Sequence, residues 1–453
     1  MVLGGKMRII IIGGVAAGMS AAAKASRLNK EAELVIYEKT EVVSWGACGL
    51  PYYVGNFFES PNNMIARPVE KFIEAGMNIK IKHEVIGIDV EKKEVTVKNL
   101  VTGEIFKDNY DKLMVSTGAH AIMPPIKNLT TKGVYTLKDY TDGIVLKEEM
   151  LKDENQDIVI VGAGYIGLEV AEAAKHLGKR SVRIIQLGDR VLLESFDKEI
   201  TDVMEEEIRA HEGVELHLEE IVQEIVEENG KVVGVKTNKG EYPADIVVVS
   251  TGVRPNTAFL KETGIEMLGN GALVIDNHGR TSIDSIYSAG DCATVPHLVR
   301  KENVYIPLAT TANKIGRIVG ENLAGVETEF QGTLGSAAVK VMDVEAGRTG
   351  ITEAEAIKMG INYKTVFIKD KNQTNYYPGR EDIFVKLIYD ADTRVLLGGQ
   401  IAGKKGAVLR VDSLATAIYA KLTVDEIGMM DFCYAPPFAR TWDVMNVAGN
   451  VAK

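Results

Sequence analysis

The sequence predicts an α/β chain made of two dinucleotide-binding units of one design, followed by a C-terminal α+β unit. Three observations predict it. An apolar strand, Met7–Ile12, runs into a glycine turn and then an alanine-rich helix. The same strand, turn and helix recur from Asp157. After about Gly332 these signals stop, and short alternating strands with polar turns take over.

Ile9-Ile10-Ile11-Ile12 is too short for a signal-peptide core and leads straight into Gly13-Gly14, so it reads as a buried strand. Residues 1–6 read as a short extension. The turn is Gly13-Gly14-Val15-Ala16-Ala17-Gly18, the helix runs from about Ala17 to Leu28, and the strand Glu33–Glu38 ends on a carboxylate. In this arrangement the helix N-terminus holds a pyrophosphate and the acid takes ribose hydroxyls. Val15 stands where the second glycine is usual. The second copy is complete: strand Asp157–Val161, Gly162-Ala163-Gly164-Tyr165-Ile166-Gly167, helix Leu168–Leu177, and strand Val182–Ile185 ending at Gln186. Two such turns in their required context imply two dinucleotides.

Three more strand ends carry small residues, which let the backbone pass close to a cofactor. They are Lys112–Val115 into Ser116-Thr117-Gly118, Ile246–Val249 into Ser250-Thr251-Gly252-Val253-Arg254-Pro255, and Ile286-Tyr287-Ser288-Ala289-Gly290-Asp291. Asp291 can accept a polyol hydroxyl. A helix follows at about Ala309–Leu323. The units are expected at 1–149 with 250–327, at 150–249, and at 328–453. In the last, Val339–Val344, Tyr363–Ile368, Ile383–Tyr389 and Val395–Ile401 read as strands, and Ala407–Ala420 and Val424–Met429 as helices. A unit of this kind often forms a dimer interface.

Composition narrows the partners. The 453 residues carry a net charge of −11, which argues against nucleic acid and leaves room only for a local basic pocket. No apolar run approaches the ~20 residues that span a bilayer, so no membrane partner and a cytoplasmic location are expected. The seven histidines all lie at or before His297, and no Cys or His cluster has metal spacing, so no metal is expected. Of the three cysteines, Cys292 and Cys433 read as structural. Cys48 differs: it lies in Ser44-Trp45-Gly46-Ala47-Cys48-Gly49-Leu50-Pro51-Tyr52-Tyr53-Val54-Gly55, a tight turn close to the first nucleotide-binding unit, and suggests redox chemistry.

The order of these motifs resembles the two-dinucleotide flavoprotein disulfide reductases along nearly the whole chain. The resemblance implies FAD on the first unit, at Gly13, Gly18, Glu38, Lys39, Ser116, Thr117, Gly118, Gly290, Asp291 and Ala309, with Glu38 on the adenosine ribose and Asp291 on the ribityl chain. It implies NADPH or NADH on the second, at Gly162, Gly164, Tyr165, Gly167, Glu169, Gln186 and Gly252. Tyr165 would cover the flavin until nicotinamide arrives, and Glu169 would meet the nicotinamide amide.

Glutathione-reductase-like members carry Cys-x-x-x-x-Cys and a C-terminal histidine; here the partner position is Tyr53 and no such histidine exists. The chain instead resembles the single-cysteine branch of NADH oxidases, NADH peroxidases and coenzyme A-disulfide reductases. Oxidases and peroxidases place a histidine in the first glycine turn, where this chain has Ala16. Cys48-Gly49-Leu50-Pro51-Tyr52-Tyr53, Asn375-Tyr376-Tyr377-Pro378-Gly379 and Tyr434-Ala435-Pro436-Pro437 resemble the coenzyme A-disulfide reductases. That resemblance implies FAD-dependent reduction of coenzyme A disulfide to two coenzyme A thiols by NAD(P)H, through a mixed disulfide between Cys48 and coenzyme A. It also implies an obligate homodimer in which Tyr376 and Tyr434 of the partner subunit donate a proton at Cys48. Polysulfide, elemental sulfur or a coenzyme A persulfide would fit the same site as acceptor; Ala16 disfavours a water-forming NADH oxidase. Lys24 and Arg27, one helical turn apart, and Ser44 are candidates for binding the substrate. Gln186 is neutral and has Lys179, Arg180, Arg183 and Arg190 near it in sequence, so NADPH is expected to be accepted.

Overall fold

Ile9, Ile10 and Ile11 are wholly buried, in the central strand of a five-stranded parallel sheet. An unbroken apolar strand is what a sheet covered on both faces requires. In the computed structural model, which describes residues 6–453, the sheet runs Ile286–Ser288, Lys112–Val115, Arg8–Ile12, Glu33–Tyr37, Asn78–Lys80. All but the last residue of the expected N-terminal extension lies outside the described residues. Helix Ala16–Leu28 packs on helix Ala309–Leu323 almost backbone to backbone. A Cβ placed at Gly316 would lie 2.4 Å from the Ala17 carbonyl oxygen, and one at Gly320 would lie 2.5 Å from that of Ala21. Small residues therefore set how near these helices come. A three-stranded antiparallel sheet, His83–Asp89, Glu94–Asn99 and Ile105–Asn109, is inserted into this unit.

The second sheet repeats the design: Val214–His217, Ser181–Ile185, Asp157–Val161, Ile246–Val249, Val134–Tyr135, every pair parallel. Its edge strand Val134–Tyr135 corrects the boundary expected at 150. The chain leaves the first unit earlier, along the antiparallel pair Ala119–Ala121 and Val253–Pro255. Helix Tyr140–Met150 then starts at a capping box formed by Asp139 and Asp142 and sinks Leu146 and Met150 into the second core.

The third unit is an antiparallel sheet, Ala337–Val341, Val344–Gly350, Leu396–Gly403, Asp382–Asp390, Tyr363–Lys371. The expected strand Val339–Val344 is the start of a hairpin, turned at Met342 with φ 53°. Helices Ala407–Tyr419 and Val424–Met429 lie where expected, joined by Glu353–Met359 and Val444–Val451.

Buried polar contacts lock the third unit onto the second. Lys386, 1 % exposed, lies 2.7 Å from Glu199 and 3.7 Å from Asp197, and also pairs with Glu353. Gln400 accepts the Asp197 N–H (2.8 Å) and donates to its carboxylate (2.6 Å). Arg348 donates to the Ser195 carbonyl (2.9 Å), and Lys340 pairs with Glu172. No helix among the described residues is long and apolar enough to cross a membrane.

Candidate active site

The two glycine turns follow one plan. Gly13 and Gly162 have φ of 101° and 105°, and a Cβ at Gly18 or Gly167 would lie 1.9 or 2.1 Å from the carbonyl oxygen of Gly13 or Gly162. Only glycine fits such an approach. The Ser116 hydroxyl donates to Ile12 and Gly13 carbonyls, and the Ser250 hydroxyl to those of Val161 and Gly162. The acid end matches too. Glu38 Oε2 accepts the Gly14 N–H (2.7 Å), and Gln186 Oε1 accepts the Ala163 N–H (3.0 Å). That second bond fixes which way the amide points, because only its oxygen can meet an N–H. Gln186 therefore presents its NH₂ as a free donor. Thr117 and Gly118 are held by Asn256: the Thr117 hydroxyl donates to its carbonyl (2.8 Å), and its N–H donates to that of Gly118 (2.9 Å). Lys39, in the bend after strand Glu33–Tyr37, and Ala309, the first residue of its helix, are exposed.

Cys48 lies in the turn Ala47–Gly49, which runs on into helix Leu50–Val54. Pro51 in the first turn costs no hydrogen bond. The loop is held by Gly46 N–H donating to the Met64 carbonyl (2.8 Å) and Ser44 N–H donating to that of Gly14 (2.9 Å). Ser44, at φ 50°, thus braces the cysteine loop through its main chain. Two helices wedge the short helix. A Cβ at Gly143 would meet Leu50 at 2.5 Å, and one at Gly55 would meet Ala173 at 3.0 Å. Cys48 is exposed to solvent as a residue. Burial first, then Glu169 and Asp291, push the thiol up, and Lys138 pulls it down. Glu169 is itself pushed up to about 7, by burial and then by Glu172. Tyr52 beside it is pushed up to about 12 by burial and the same two carboxylates. Burial also raises Tyr165, against a hydrogen bond with Ser195. Asp291 pairs with Lys138 at 3.0 Å, and the Tyr305 hydroxyl donates to the Asp291 carbonyl (2.9 Å). Gly290 and Gly252, at φ 86° and 112°, make the turns at the ends of their strands.

Tyr376 and Tyr434 come together on the third unit, hydroxyl to hydroxyl at 3.1 Å. Both are exposed, as are Phe438, Trp442 and Met429 on the same unit. Such an amount of bare apolar surface marks an interaction face. Cys292 is fully buried beside the Ser288 hydroxyl, and Cys433 is exposed.

Some expectations change. Lys24 does not stand free on its helix: it pairs with Glu321 at 2.8 Å, both side chains largely covered, because the close packing brings Ala309–Leu323 alongside. Arg27 remains exposed. Of the four basic residues near Gln186, Lys179 and Arg180 lie at the opposite end of strand Ser181–Ile185, and Arg183 pairs with Glu215. Only Arg190 follows Gln186 into the same loop. Glu207, His211 and Asp343 stand near enough to share an ion, at the seam of the second and third units. Lys404 lies 3.4 Å from Glu207 there.

Residues 7–316 match the family model for pyridine nucleotide-disulphide oxidoreductase, and residues 336–445 match that family's dimerisation domain. The chain belongs to the pyridine nucleotide-disulphide oxidoreductase family. It is an NAD(P)H-dependent flavoprotein oxidoreductase. A CoA-dependent NAD(P)H sulfur oxidoreductase of Pyrococcus abyssi is 40 % identical over 99 % of this chain and 98 % of its own. An NADH oxidase of Enterococcus faecalis is 34 % identical over 98 % and 99 %. A coenzyme A disulfide reductase of Staphylococcus aureus is 32 % identical over 98 % and 100 %. The structure of an NAD-dependent persulfide reductase from A. fulgidus superposes with a TM-score of 0.93 at 34 % identity, over 98 % of this chain and 83 % of that one.

FAD and NAD(P)H are typical of the family, and the residues present fit two dinucleotides. No atom lies within 4 Å of where a Cβ would stand on Gly118 or Gly164, so backbone is open to a ligand at both. Sequence reading did not single out Lys138, which pairs with Asp291 far along the chain. It also missed Asn313 and Arg317, which share the helix seam with Ser20 and Lys24. A lone lysine or asparagine on a helix carries no signal of what it faces.

Proposed function

We propose that the protein reduces sulfur–sulfur bonds carried by coenzyme A, at the expense of NAD(P)H, through a mixed disulfide of Cys48 with coenzyme A. One observation carries this reading. The position five residues after Cys48 is Tyr53, which is buried; of the other two thiols Cys292 is buried and Cys433 lies on the third unit beside Tyr434. A sulfur from outside the chain is the partner that this reading gives Cys48.

The Cys48 thiolate attacks the sulfur bound to coenzyme A. The Cys48–S–S–CoA bond forms, and the far sulfur leaves with its electron pair. From coenzyme A disulfide the leaving group is a second coenzyme A; from a coenzyme A persulfide it is hydrosulfide. A hydroxyl of Tyr376 or Tyr434 of the partner subunit supplies its proton. FAD, when bound, would supply the two-electron relay from nicotinamide to the mixed disulfide. Cys48 would then return to the thiolate and coenzyme A would be released. The sum is one NAD(P)H and one proton consumed per S–S bond. Glu38 would hold the FAD ribose and Asp291 its polyol. The glycine turn at Gly162, Gly164 and Gly167 would seat NAD(P)H, with Glu169 at the nicotinamide.

Sulfane sulfur on coenzyme A is the favoured acceptor, because relatives at about 40 % identity carry CoA-dependent sulfur reductase names. Coenzyme A disulfide is the second acceptor of the same site. Arg27, exposed on its helix, is the cation left for the coenzyme A phosphates, since Lys24 and Arg317 both pair with Glu321.

Anaerobic steady-state kinetics with polysulfide plus coenzyme A, coenzyme A persulfide and coenzyme A disulfide test this, alongside intact mass before and after reductant. A coenzyme A-sized adduct lost on reduction and missing in Cys48→Ser is expected. Turnover on oxygen alone, with all three sulfur substrates inert, would mean an oxidase instead.

A further inference from the structure

Tyr376 and Tyr434 stand on loops, not on strands or helices. One loop, 372–381, joins strands Tyr363–Lys371 and Asp382–Asp390; the other, 430–443, joins helices Val424–Met429 and Val444–Val451. Their hydroxyls nevertheless meet at 3.1 Å. A loop holds a side chain that closely only where its main chain is pinned.

Each loop is tied at its own neck. The Asn372 N–H donates to the Glu381 carbonyl (3.0 Å), and Asn372 Oδ1 accepts the Glu381 N–H (2.9 Å). Gln373 donates to the Pro378 and Tyr377 carbonyls (2.8 and 3.3 Å), across the turn that carries Tyr376. In the second loop Asn446 donates to the Met430 carbonyl (2.9 Å) at the start. At the end Asp443 caps the next helix, accepting the Met445 N–H (3.0 Å).

Arg410 joins one loop to the other. It rises from the first turn of helix Ala407–Tyr419, and its Nη2 donates to the Asn372 carbonyl (3.3 Å) and to the Phe438 carbonyl (2.9 Å). Nε and Nη2 grip the Asp443 carboxylate at 3.0 and 2.8 Å, both side chains being largely buried, and Nη1 donates to the Gly406 carbonyl (2.9 Å). The two hydrogens of Nη2 thus serve three acceptors, and one is shared. The helix has no need of this residue. A cation in a first turn works against the helix dipole, and Glu345 already accepts the Ala407 N–H (2.5 Å).

We propose that Arg410 is the positioning residue of the tyrosine pair. Its planar fork, anchored on Asp443, spaces the two loop main chains and so brings the Tyr376 and Tyr434 hydroxyls together. The Thr374 hydroxyl, donating to the Pro436 carbonyl (3.2 Å), is a second, neutral tie between the same loops. A lysine at 410 would keep a cation on Asp443 but could not span the fork. The inference rests on the reading that these hydroxyls supply the proton at Cys48 of the partner subunit.

The test is a double-mutant cycle in the FAD-loaded enzyme. It is read as kcat/KM for whichever of coenzyme A disulfide and coenzyme A persulfide turns over faster. Arg410→Lys avoids leaving the buried Asp443 carboxylate alone. It should lower kcat/KM about tenfold in the parent, the scale for a catalytic group displaced by less than ~1 Å. In a Tyr376→Phe/Tyr434→Phe background no pair is left to place, and the same change should cost less than about twofold. Stopped-flow reduction of the flavin by NAD(P)H should keep its parent rate in Arg410→Lys. Asp443→Asn keeps a good helix cap but releases the guanidinium, and must behave as Arg410→Lys does; it serves if the lysine variant does not fold. Equal losses in the two backgrounds, or no loss in the parent, overturn the inference. Failure of the underlying reading looks different. If the Tyr376→Phe/Tyr434→Phe enzyme keeps full kcat/KM, the hydroxyls are not the proton donors. If that enzyme is crippled and Arg410→Lys is not, only the role of Arg410 falls.

Discussion

The hydroxyls of Tyr376 and Tyr434 lie 3.1 Å apart on one exposed face, although 58 residues separate them in sequence. One hydrogen bond joins them, so one of the two holds a proton that the other accepts. Tyr376 is held above the ordinary tyrosine range by that bond, which keeps it a proton donor throughout the neutral range. The pair is one device. Tyr376→Phe and Tyr434→Phe should each lower kcat/KM for coenzyme A disulfide by about 10²-fold, the usual scale for a lost general acid. The double variant should be little worse than the worse single one. Flavin reduction by NAD(P)H in the absence of acceptor should be unchanged. Independent, multiplying losses would show that the hydroxyls act separately.

Gln186 directs its NH₂ outward because its oxygen is committed to Ala163. A donor there suits the 2′-phosphate of NADPH, and Arg190 follows in the same loop. Gln186→Glu keeps the bond to Ala163 and turns the free donor into a negative charge. The ratio of kcat/KM for NADPH over NADH should fall about tenfold or more, roughly 1.4 kcal/mol of discrimination. A wild-type preference for NADH above about a hundredfold, roughly 2.7 kcal/mol, would contradict the reading of this position.

Lys386 is almost wholly buried among Asp197, Glu199 and Glu353. Removing the ammonium leaves three carboxylates facing one another at the join of two units. Lys386→Met should cost about 3 kcal/mol in chemical denaturation. Glu353→Gln, added to it, should recover part of the loss. A fully additive pair would argue against the cluster acting as a unit.

His297 is buried, and its Nδ1 accepts the N–H groups of Val299 and Arg300, both at 3.2 Å. Burial lowers it from 6.5 to about 4. The folded state thus binds this proton less readily than the unfolded chain. The stability from neutral His297 is complete above pH 6.5 and is lost as the pH falls through about 4. Urea midpoints measured across that window should fall more steeply for the wild type than for His297→Gln. Parallel curves would remove His297 as the cause.

Much of this architecture was legible in the sequence. Glycine turns, apolar strands and strand-end acids are local patterns, and they carried the two nucleotide units, the cysteine turn and the family. The pairings were not legible. Lys24 reads the same on paper whether it faces solvent or Glu321, and Arg180 looks near Gln186 until a strand carries it to the other end of the sheet. The hairpin turn Met342-Asp343 was hidden because it has no glycine or asparagine and its positive-φ position is a methionine. The early crossing at Val134–Tyr135 was missed because a two-residue edge strand has no periodicity to detect.

The polar contacts that lock the third unit to the second have a consequence for protein engineering. The nicotinamide-binding segment is not an interchangeable cassette. A chimera that takes 150–249 from a relative would carry foreign residues to Lys386, Gln400 and Lys340, whose side-chain partners Glu199, Asp197 and Glu172 all lie in the replaced stretch. Cofactor preference is therefore better altered by single changes in the loop at Gln186, or by transplanting both halves of that seam together.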